Sequence, residues 1–403
     1  MIKCRVCHGK LSKFFSLGEI PLPNSFMKPQ DFSEEKKYDL SVGFCSRCYL
    51  VQLTKTVPPA KIFRNYIYFS HNTLTLIKHA QETAKKLTKK FKLNKSSLVL
   101  EIGSNDGTQL KFYQQQGIKV LGVDPAKNIV RLANREGIKT IPEFFTFKLT
   151  KKLRQKKILA DVVYGSNVLA HIPNVVDALK GVKNILKDEG NAVFEFPYLQ
   201  GLLENKFDII YHEHVFYYSL MSIANLTKKV GLEIYDVEKV ATQGGSLRVY
   251  LTHPGKKPVS QRVKQLLLRE KQKGFHKLTT YQVMGVNVKK LKEELLNLLI
   301  KLKNKQKIIV GYGAAAKGNV LLNYFQIGKN YLDYIFDKAV EKQGFYTPGM
   351  HLLVVDPQQV NRLKPDYILL LSWNIAGEVL EQLKTYRRTG GKFIIPIPRV
   401  KIV

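Results

Sequence analysis

The stretch LVLEIGSNDGTQL, from Leu98 to Leu110, decides the fold. Its apolar start predicts a buried strand, its glycines predict a tight turn, and its last residues open a helix. Gly103 and Gly107 let the backbone approach a ligand closely and adopt conformations that other residues resist. About twenty residues later, IKVLGVDPA predicts a second strand that ends in Asp124. An acidic residue at the tip of a second strand typically accepts hydrogen bonds from ribose hydroxyls.

Three further strands are predicted after this unit, around IPEFFT, ADVVYGSNVLAHIPN and GNAVFEFPYL, and GGSLRVYL with its basic Arg248 would close the sheet. Strands that alternate with helices indicate a parallel, doubly wound sheet with the ligand at the carboxyl ends of the strands. The turn reads E-x-G-x-x-x-G and not GxGxxG, so it resembles the first motif of Rossmann-like, S-adenosylmethionine-dependent methyltransferases. That resemblance implies a cofactor pocket formed by Glu101, Gly103, Asn105, Gly107, Asp124, Phe144, Phe145 and Asn167.

A cluster of proton-exchanging side chains follows the predicted fifth strand, in YHEHVFYYSL. Tyr211 and His214 would share a face of a helix, whereas His212 and His214 would share a face of an extended chain. Either geometry brings a base and a phenol close to the carboxylate of Glu213, and histidine exchanges protons readily near neutral pH. We predict an acid–base site. An HxH metal site lacks a third ligand at metal spacing, and a plain aromatic strand is the structural alternative.

Three more side chains are candidates for the same site. His171 follows the predicted fourth strand and would face the cofactor, although a structural role is equally open. Tyr66 and Tyr68 precede a predicted helix from about residue 73 to residue 90. Both tyrosines could contact the reacting molecule or pack at a junction between domains.

All four cysteines lie near the N-terminus, in two CxxC pairs: Cys4, Cys7, Cys45 and Cys48. Two such pairs complete a tetrahedral zinc site, and four thiolates leave the metal no open position, so the predicted Zn²⁺ is structural. The segment between the pairs, which contains LGEIPLPNSF, must loop out. Unrelated buried thiols and disulfides are the alternatives, and disulfides conflict with the cytoplasmic location that we expect.

A second strand–turn–helix unit, KIIVGYGAAAKGNVLLNYF, follows a Lys/Leu-rich helical stretch over residues 259–305. Gly311 and Gly313 make the turn and Lys317 opens the helix, which is a ready anion site. Alanines replace the third glycine of GxGxxG, so a nucleoside diphosphate is favoured over NAD. Trp373 is either a substrate contact or a buried anchor. The candidate substrate-binding residues are Lys317, Asn319, Trp373 and Asn374.

The charge of the chain bears on its partners. Its 403 residues carry a net charge of +33, but the lysines are spread along the whole length, which favours a Lys-rich surface over a nucleic-acid footprint. The field could also help to draw in an anionic substrate. No apolar run approaches the roughly 18 residues of a membrane helix, and no signal peptide is evident. We expect two or three folded units, with no nucleic-acid or membrane partner.

Several motifs occur in one order: the CxxC pairs, LGEIPLPNSF, EIGSNDG, NVLAHIPN, YHEHVFYYSL, GYGAAAKGN and QGFYTPG. Together they resemble, over essentially the full chain, the sugar C-methyltransferases that methylate carbon 3 of nucleotide-linked 4-keto-deoxysugars. The resemblance implies an α/β protein with a small zinc-binding domain (1–60) and a Rossmann-like methyltransferase core (61–255). A helical linker (256–305) and a second Rossmann-like, nucleotide- or substrate-binding domain (306–403) would follow.

The resemblance also implies roles and partners. His214 would remove the proton alpha to the keto group, and the residues that orient it or stabilise the enolate would be Tyr211, Glu213 and His171. One of Tyr66 and Tyr68 would contact the sugar, which would be linked to a thymidine diphosphate. The chain departs from the family pattern in one strand tip, with Ser372 where a proline is common, and in the residues Lys338 and Ala339, where acidic residues are common.

The chemistry is consistent with this reading. Carbon–carbon bond formation to a methyl sulfonium needs a carbanion equivalent, which a base and donors to an enolate oxygen can provide. Oxygen and nitrogen acceptors can often rely on positioning. An S-adenosylmethionine-dependent O- or N-methyltransferase of polysaccharide or secondary-metabolite synthesis therefore remains the alternative. A nucleic-acid-binding module with a zinc ribbon and a vestigial core is a third hypothesis.

Overall fold

Three β-sheets organise the protein in this computed structural model, which describes residues 2–63 and 74–403. Tyr66 and Tyr68 lie outside the described residues. The first sheet is antiparallel and contains strands β1 (Leu11–Pro21), β2 (Lys37–Cys45) and β3 (Val51–Leu53). Its fourth strand, β9 (Phe216–Tyr217), comes from the middle of the chain and pairs with β3.

The second sheet has seven strands, and the stretch that opens it lies at its centre. Its strands are β4 (Leu98–Ile102), β5 (Lys119–Val123), β6 (Thr140–Ile141), β7 (Ala160–Ser166), β8 (Leu186–Pro197), β10 (Glu233–Val240) and β11 (Ser246–Thr252). The order is β10-β11-β8-β7-β4-β5-β6. The five predicted strands are parallel, so their carboxyl ends share one edge. The stretch expected to close the sheet is antiparallel and lies one strand inside the edge.

The third sheet repeats the arrangement in the C-terminal part. Its strands are β12 (Ile309–Tyr312), β13 (Ile335–Phe336), β14 (Val354–Val355), β15 (Tyr367–Leu370), β16 (Lys392–Ile395) and β17 (Lys401–Ile402). The order is β14-β13-β12-β15-β16-β17, and β17 is antiparallel to β16. Strands on both sides of a central first strand give the Rossmann-like order, so the predicted fold class is confirmed.

The helices cover the faces of the sheets. They are α1 (Pro59–Phe63), α2 (Leu74–Phe91), α3 (Thr108–Gln114), α4 (Lys127–Arg135), α5 (Phe147–Gln155), α6 (Val175–Ile185), α7 (Gln200–Leu203), α8 (Leu220–Val230), α9 (Gln261–Gln272), α10 (Thr279–Asn304), α11 (Ala316–Phe325), α12 (Val360–Leu363), α13 (Ala376–Gln382) and α14 (Lys384–Arg388). The stretch 259–305 forms two helices, because Gly274 takes a left-handed φ of 73° after α9. Neither they nor the other described helices are long and apolar enough to cross a bilayer.

One hydrophobic core joins the three sheets. Helix α10 packs on the first sheet, where the Tyr281 ring lies 5.4 Å from the Phe14 ring and 4.9 Å from the Phe44 ring, centroid to centroid. Helix α11 packs on the loop before the acid–base cluster, with the rings of Phe207 and Phe325 stacked at 5.1 Å. The N-terminal and C-terminal parts are therefore packed against both sides of the segment that carries the cluster.

Candidate active site

A cavity of about 530 Å³ opens at the carboxyl ends of the parallel strands. It is lined by the glycine turn, by the acid–base cluster and by the C-terminal strand–turn–helix unit. Of the predicted residues, the cavity is lined by Glu101, Gly103, Asn105, Asp124, Phe144, Phe145, Asn167, His171, Tyr211, Glu213, His214, Lys317 and Asn374. Gly107, Asn319 and Trp373 lie behind this lining.

The glycine turn is held to the tip of the neighbouring strand. Gly103 has a φ of 67° and donates its N–H to the Val123 carbonyl at 2.8 Å. The Asp124 carboxylate accepts from the backbone N–H of Asn105 at 3.0 Å and of Ala126 at 2.9 Å. Burial nevertheless raises the pKa of Asp124. Since each oxygen keeps a second lone pair, Asp124 fixes the turn and can still accept from a ribose hydroxyl.

Two polar atoms at this edge fit a cofactor that donates hydrogen bonds. The Oε2 of Glu101 and the Oδ1 of Asn167 are buried without a hydrogen-bond partner in the described part of the chain. Burial, with repulsion from Asp106 and Asp124, raises the pKa of Glu101 well above its usual range. Buried polar atoms are normally paired. The residues present therefore fit S-adenosylmethionine, whose amino group and ribose hydroxyls are donors.

The acid–base cluster is formed by a tight turn and by neither of the two regular geometries considered. The His214 N–H donates to the Tyr211 carbonyl at 2.8 Å, which brings the side chains of these two residues to the same side. The Tyr211 hydroxyl lies 2.7 Å from His214 Nε2, and His214 Nδ1 lies 2.8 Å from the Ile209 carbonyl. Because a carbonyl only accepts, Nδ1 carries the proton and Nε2 accepts from the phenol. His212 faces away and donates to the Tyr38 carbonyl.

His171 lies beside this pair, with its ring centroid 5.0 Å from that of His214 and its Nε2 buried without a described partner. Burial lowers the pKa of His171 to about 4. Burial, with repulsion from a protonated His171, also lowers the pKa of His214 well below the usual value, although the Ile209 carbonyl opposes this. Both imidazoles are therefore neutral at neutral pH and available to accept a proton.

The buried imidazoles predict how stability depends on pH. A histidine in the unfolded chain titrates near 6.5, whereas His171 in the folded protein titrates near 4. Between these values the unfolded chain binds more protons, so the free energy of unfolding should fall as the pH is lowered from 6.5 towards 4. Urea unfolding at several pH values should show a shallower fall for His171→Asn than for the parent. Equal slopes for His171→Asn and the parent would contradict the lowered pKa.

The sequence motif LGEIPLPNSF was expected to loop out, but its first five residues belong to strand β1 and only the rest is a loop, which reaches the cavity. Asn24 lines it and donates from Nδ2 to Glu213 Oε1 at 2.5 Å. The next residue back, Pro23, accepts from Asn319 Nδ2 at 2.6 Å. The N-terminal segment is thus wedged between the acid–base cluster and helix α11, and Asn319 acts on this segment from behind the lining.

A buried ionic network also borders the cavity, and the sequence analysis did not predict it. Glu195, at the end of β8, is 1% exposed and lies 2.7 Å from His79, 2.7 Å from Arg248 Nε and 3.0 Å from the Tyr164 hydroxyl. Burial favours protonation of Glu195, but the hydrogen bond from His79 and the charge of Arg248 outweigh it and hold the pKa below its usual value. His79 and Tyr164 line the cavity, so the network fixes the wall next to the glycine turn.

The C-terminal unit contributes a buried cation. Burial lowers the pKa of Lys317, in the first turn of α11, and the Asp208 carboxylate opposes this. Asp208 is itself fully buried, which raises its pKa to about 6, and it accepts from Trp373 Nε1 at 2.6 Å. The Trp373 ring lies 5.7 Å from Lys317 Nζ and rests against Gly244. Trp373 thus anchors the buried pair from behind the lining, and its direct contact with a substrate stays a prediction.

The four cysteines are close enough to share one metal. The Sγ atoms of Cys4 and Cys48 are 3.6 Å apart, those of Cys7 and Cys45 are 3.4 Å apart, and all four lie within 4.8 Å of one another. A tetrahedral zinc with sulfur at about 2.3 Å separates its ligands by about 3.8 Å. The residues therefore fit a closed, structural Zn²⁺ site.

Known domains match the chain in three consecutive segments. These are a zinc binding domain at residues 4–63, a methyltransferase domain at 76–237 and a C-methyltransferase C-terminal domain at 241–398. C-methyltransferase NovU from Streptomyces niveus is 33% identical over 405 residues, which cover 100% of this chain and 96% of that protein. The glycine turn, the sheet and these matches define an S-adenosylmethionine-dependent methyltransferase with a zinc-binding segment, as predicted. With this full-length match, the chain belongs to the C-methyltransferase family that includes NovU.

Solved structures match less than half of the chain at low identity. The S-adenosylmethionine-dependent methyltransferase of Anabaena variabilis is 14% identical, with a TM-score of 0.36, over 43% of this chain and 84% of its own. Magnesium protoporphyrin IX methyltransferase of Synechocystis with bound S-adenosylmethionine is also 14% identical, with a TM-score of 0.33, over 44% and 81%. The family assignment rests on the full-length sequence match.

Proposed function

We propose that this methyltransferase acts on the carbon alpha to the keto group of a nucleotide-linked 4-keto-deoxysugar. One observation carries the proposal: the glycine turn, the Tyr211–His214 pair and the buried cation Lys317 all line the same cavity. A cofactor, a proton acceptor and an anion-binding element in one cavity match the three needs of C-methylation on a sugar diphosphate. O- or N-methylation always requires the cofactor, but it does not always require a proton acceptor or an anion-binding element.

In this proposal His214 Nε2 takes the proton of the acceptor carbon, either directly or through the phenol that donates to it. Nδ1 keeps its proton on the Ile209 carbonyl, so the product is an imidazolium held in a fixed orientation. Tyr211, Glu213 and His171 orient the base or stabilise the anion that develops on the keto oxygen. S-adenosylmethionine, when bound, supplies the electrophilic methyl group.

The nucleotide would lie against the C-terminal sheet. Asn374 and Lys317 line this end of the cavity. It is also lined by the three residues at which the chain departs from the family pattern and by the residue before two of them: Lys338, Ala339, Ser372 and Asp337. The departures therefore fall where the nucleotide would bind, which favours a diphosphate contact that depends on lysine charge. A thymidine diphosphate is the nucleotide that the family resemblance suggests.

A calorimetric titration tests this assignment. We expect S-adenosylhomocysteine and thymidine diphosphate each to bind at one equivalent, with both bound together. Lys317→Met should weaken the diphosphate by about tenfold to a hundredfold, because a charge-assisted contact of about 1.5–3 kcal/mol is lost, and leave S-adenosylhomocysteine unchanged. Binding of S-adenosylhomocysteine without any nucleoside diphosphate would overturn the sugar-nucleotide proposal in favour of another acceptor.

A further inference from the structure

The strand that follows His214 belongs to the N-terminal sheet and not to the methyltransferase sheet. In the antiparallel pair of β3 and β9, Val51 lies opposite Tyr217 and Gln52 lies opposite Phe216. One residue further along, Leu53 N–H donates to the Val215 carbonyl at 2.9 Å. The N-terminal sheet therefore holds the backbone directly beside His214.

Val215 is also bonded on its other side. Its N–H donates at 2.7 Å to the carbonyl of Ala170, the residue before His171. The Tyr218 hydroxyl donates to the Leu169 carbonyl at 3.1 Å in the same turn. A single residue thus ties the N-terminal sheet to the loop that carries His171. These two backbone hydrogen bonds therefore join the segments that carry the two imidazole rings, whose centroids are 5.0 Å apart.

Gln52 extends the connection to the four-cysteine site. Its side chain is fully buried on β3, where Nε2 donates to Cys4 Sγ at 3.1 Å and Oε1 accepts from the Arg5 N–H at 3.0 Å. A hydrogen bond to a metal-bound thiolate is charge-assisted, so it is stronger than a bond between neutral groups. Such bonds orient the ligand and tune the metal, and their loss typically costs about 10- to 100-fold in metal affinity.

We propose that the zinc site is a positioning device for the acid–base pair, with Gln52 as the residue that transmits it. The proposal rests on the proposed role of His214 and deepens it. With the metal bound, the Cys4 thiolate fixes Gln52 and β3, and β3 fixes Val215. Without the metal or without the amide of Gln52, β3 loses its hydrogen bond to the four-cysteine site, and the segment that carries His214 loosens while the cofactor pocket stays intact.

The test compares Gln52→Met with Ser16→Ala. Gln52→Met roughly keeps the volume and removes both the Nε2 donor to Cys4 and the Oε1 acceptor of the Arg5 N–H. Ser16→Ala removes a side-chain hydrogen bond to Ser41 elsewhere in the same sheet. The full-length, zinc-loaded proteins are followed by zinc transfer to a chromogenic chelator and by amide hydrogen exchange. For Gln52→Met we expect zinc release about 10- to 100-fold faster and faster exchange in residues 209–218. Exchange in 98–102 and S-adenosylhomocysteine affinity should be unchanged, and kcat should fall at constant KM. Ser16→Ala should resemble the parent.

Two outcomes would overturn the proposal. One is unchanged exchange in residues 209–218 in both Gln52→Met and the chelator-treated parent. The other is faster exchange throughout, in 98–102 as well as in 209–218, which would make the metal a general stabiliser. The proposed function fails separately: if exchange rises only in 209–218 but His214→Asn turns over at the parental rate, the coupling stands and the assignment of the base does not.

Discussion

Replacement of His214 by asparagine is expected to lower kcat for methyl transfer by roughly 10²- to 10⁴-fold, the usual contribution of a positioned general base. Asparagine is a suitable change because its amide can still donate to the Ile209 carbonyl, as Nδ1 does in the parent. Nothing then accepts the proton at the position of Nε2. The affinity for S-adenosylhomocysteine, measured by calorimetry, should be unchanged, since the hydrogen bonds described for the His214 ring go to Tyr211 and to the Ile209 carbonyl.

The neighbouring imidazole provides a matched control. His212 lies two residues away, is equally part of the YHEH motif and donates to the Tyr38 carbonyl outside the cavity. His212→Asn should keep kcat within a few-fold of the parent. A second readout is the exchange of the acceptor carbon's proton with deuterated water in the absence of the methyl donor, which should stop in His214→Asn only. A His214→Asn protein of parental activity would show that His214 is not the base, and would favour an oxygen or nitrogen acceptor.

Replacement of Arg248 by methionine is expected to lower the free energy of unfolding by about 3–5 kcal/mol, because it leaves a buried carboxylate poorly compensated. Glu195 and Arg248 are 1% and 3% exposed, and Glu195 would keep His79 and Tyr164 as its partners among the described residues. Urea unfolding at pH 8 measures the loss. The loss should be smaller at pH 5. Removal of Arg248 takes away a charge that holds the pKa of Glu195 down, so the buried carboxyl of the variant accepts a proton more readily as the pH falls.

Two further variants identify the cause. Arg262→Met breaks the pair with Asp236, but the Arg262 side chain is 55% exposed, so the expected loss is about 1 kcal/mol or less. The double replacement Arg248→Met with Glu195→Gln should recover part of the stability, because no charge is then left buried. If Arg248→Met and Arg262→Met lower the free energy of unfolding by similar amounts, burial of the Glu195–Arg248 pair does not increase its contribution to stability.

The sequence predicted what depends on neighbours along the chain. The strand before Gly103 and the strand that ends in Asp124 are local patterns, and two glycines with one acidic residue restrict the turn between them. The zinc site was predictable for the same reason, because two CxxC pairs in one short segment indicate a metal site. The proximity of Tyr211 and His214 was also predictable, because they are three residues apart in the sequence. The turn that brings them together is neither a helix nor an extended strand.

What the sequence did not predict depends on contacts between distant residues. Asn24 meets Glu213 across 189 residues, and His79 meets Glu195 across 116 residues. Asn24 lies in a segment without a periodic signal, and the helix predicted around His79 does not indicate which strand this side chain meets. Strand β9 has only two residues, and its partner β3 has three, so no alternation of apolar and polar residues could mark their pairing.

The pairing of β3 with β9 also sets an order of events during synthesis. The N-terminal sheet lacks its last strand until residues 216–217 have left the ribosome, so the edge of β3 is unpaired until then. An uncovered strand edge is a template for association with other chains. The chain between β3 and β9 must lose conformational entropy before the two strands can pair. Completion of the sheet is therefore expected to be a late step in folding. An N-terminal fragment that stops before β9 should accordingly self-associate, whereas the full chain covers the edge with its own backbone.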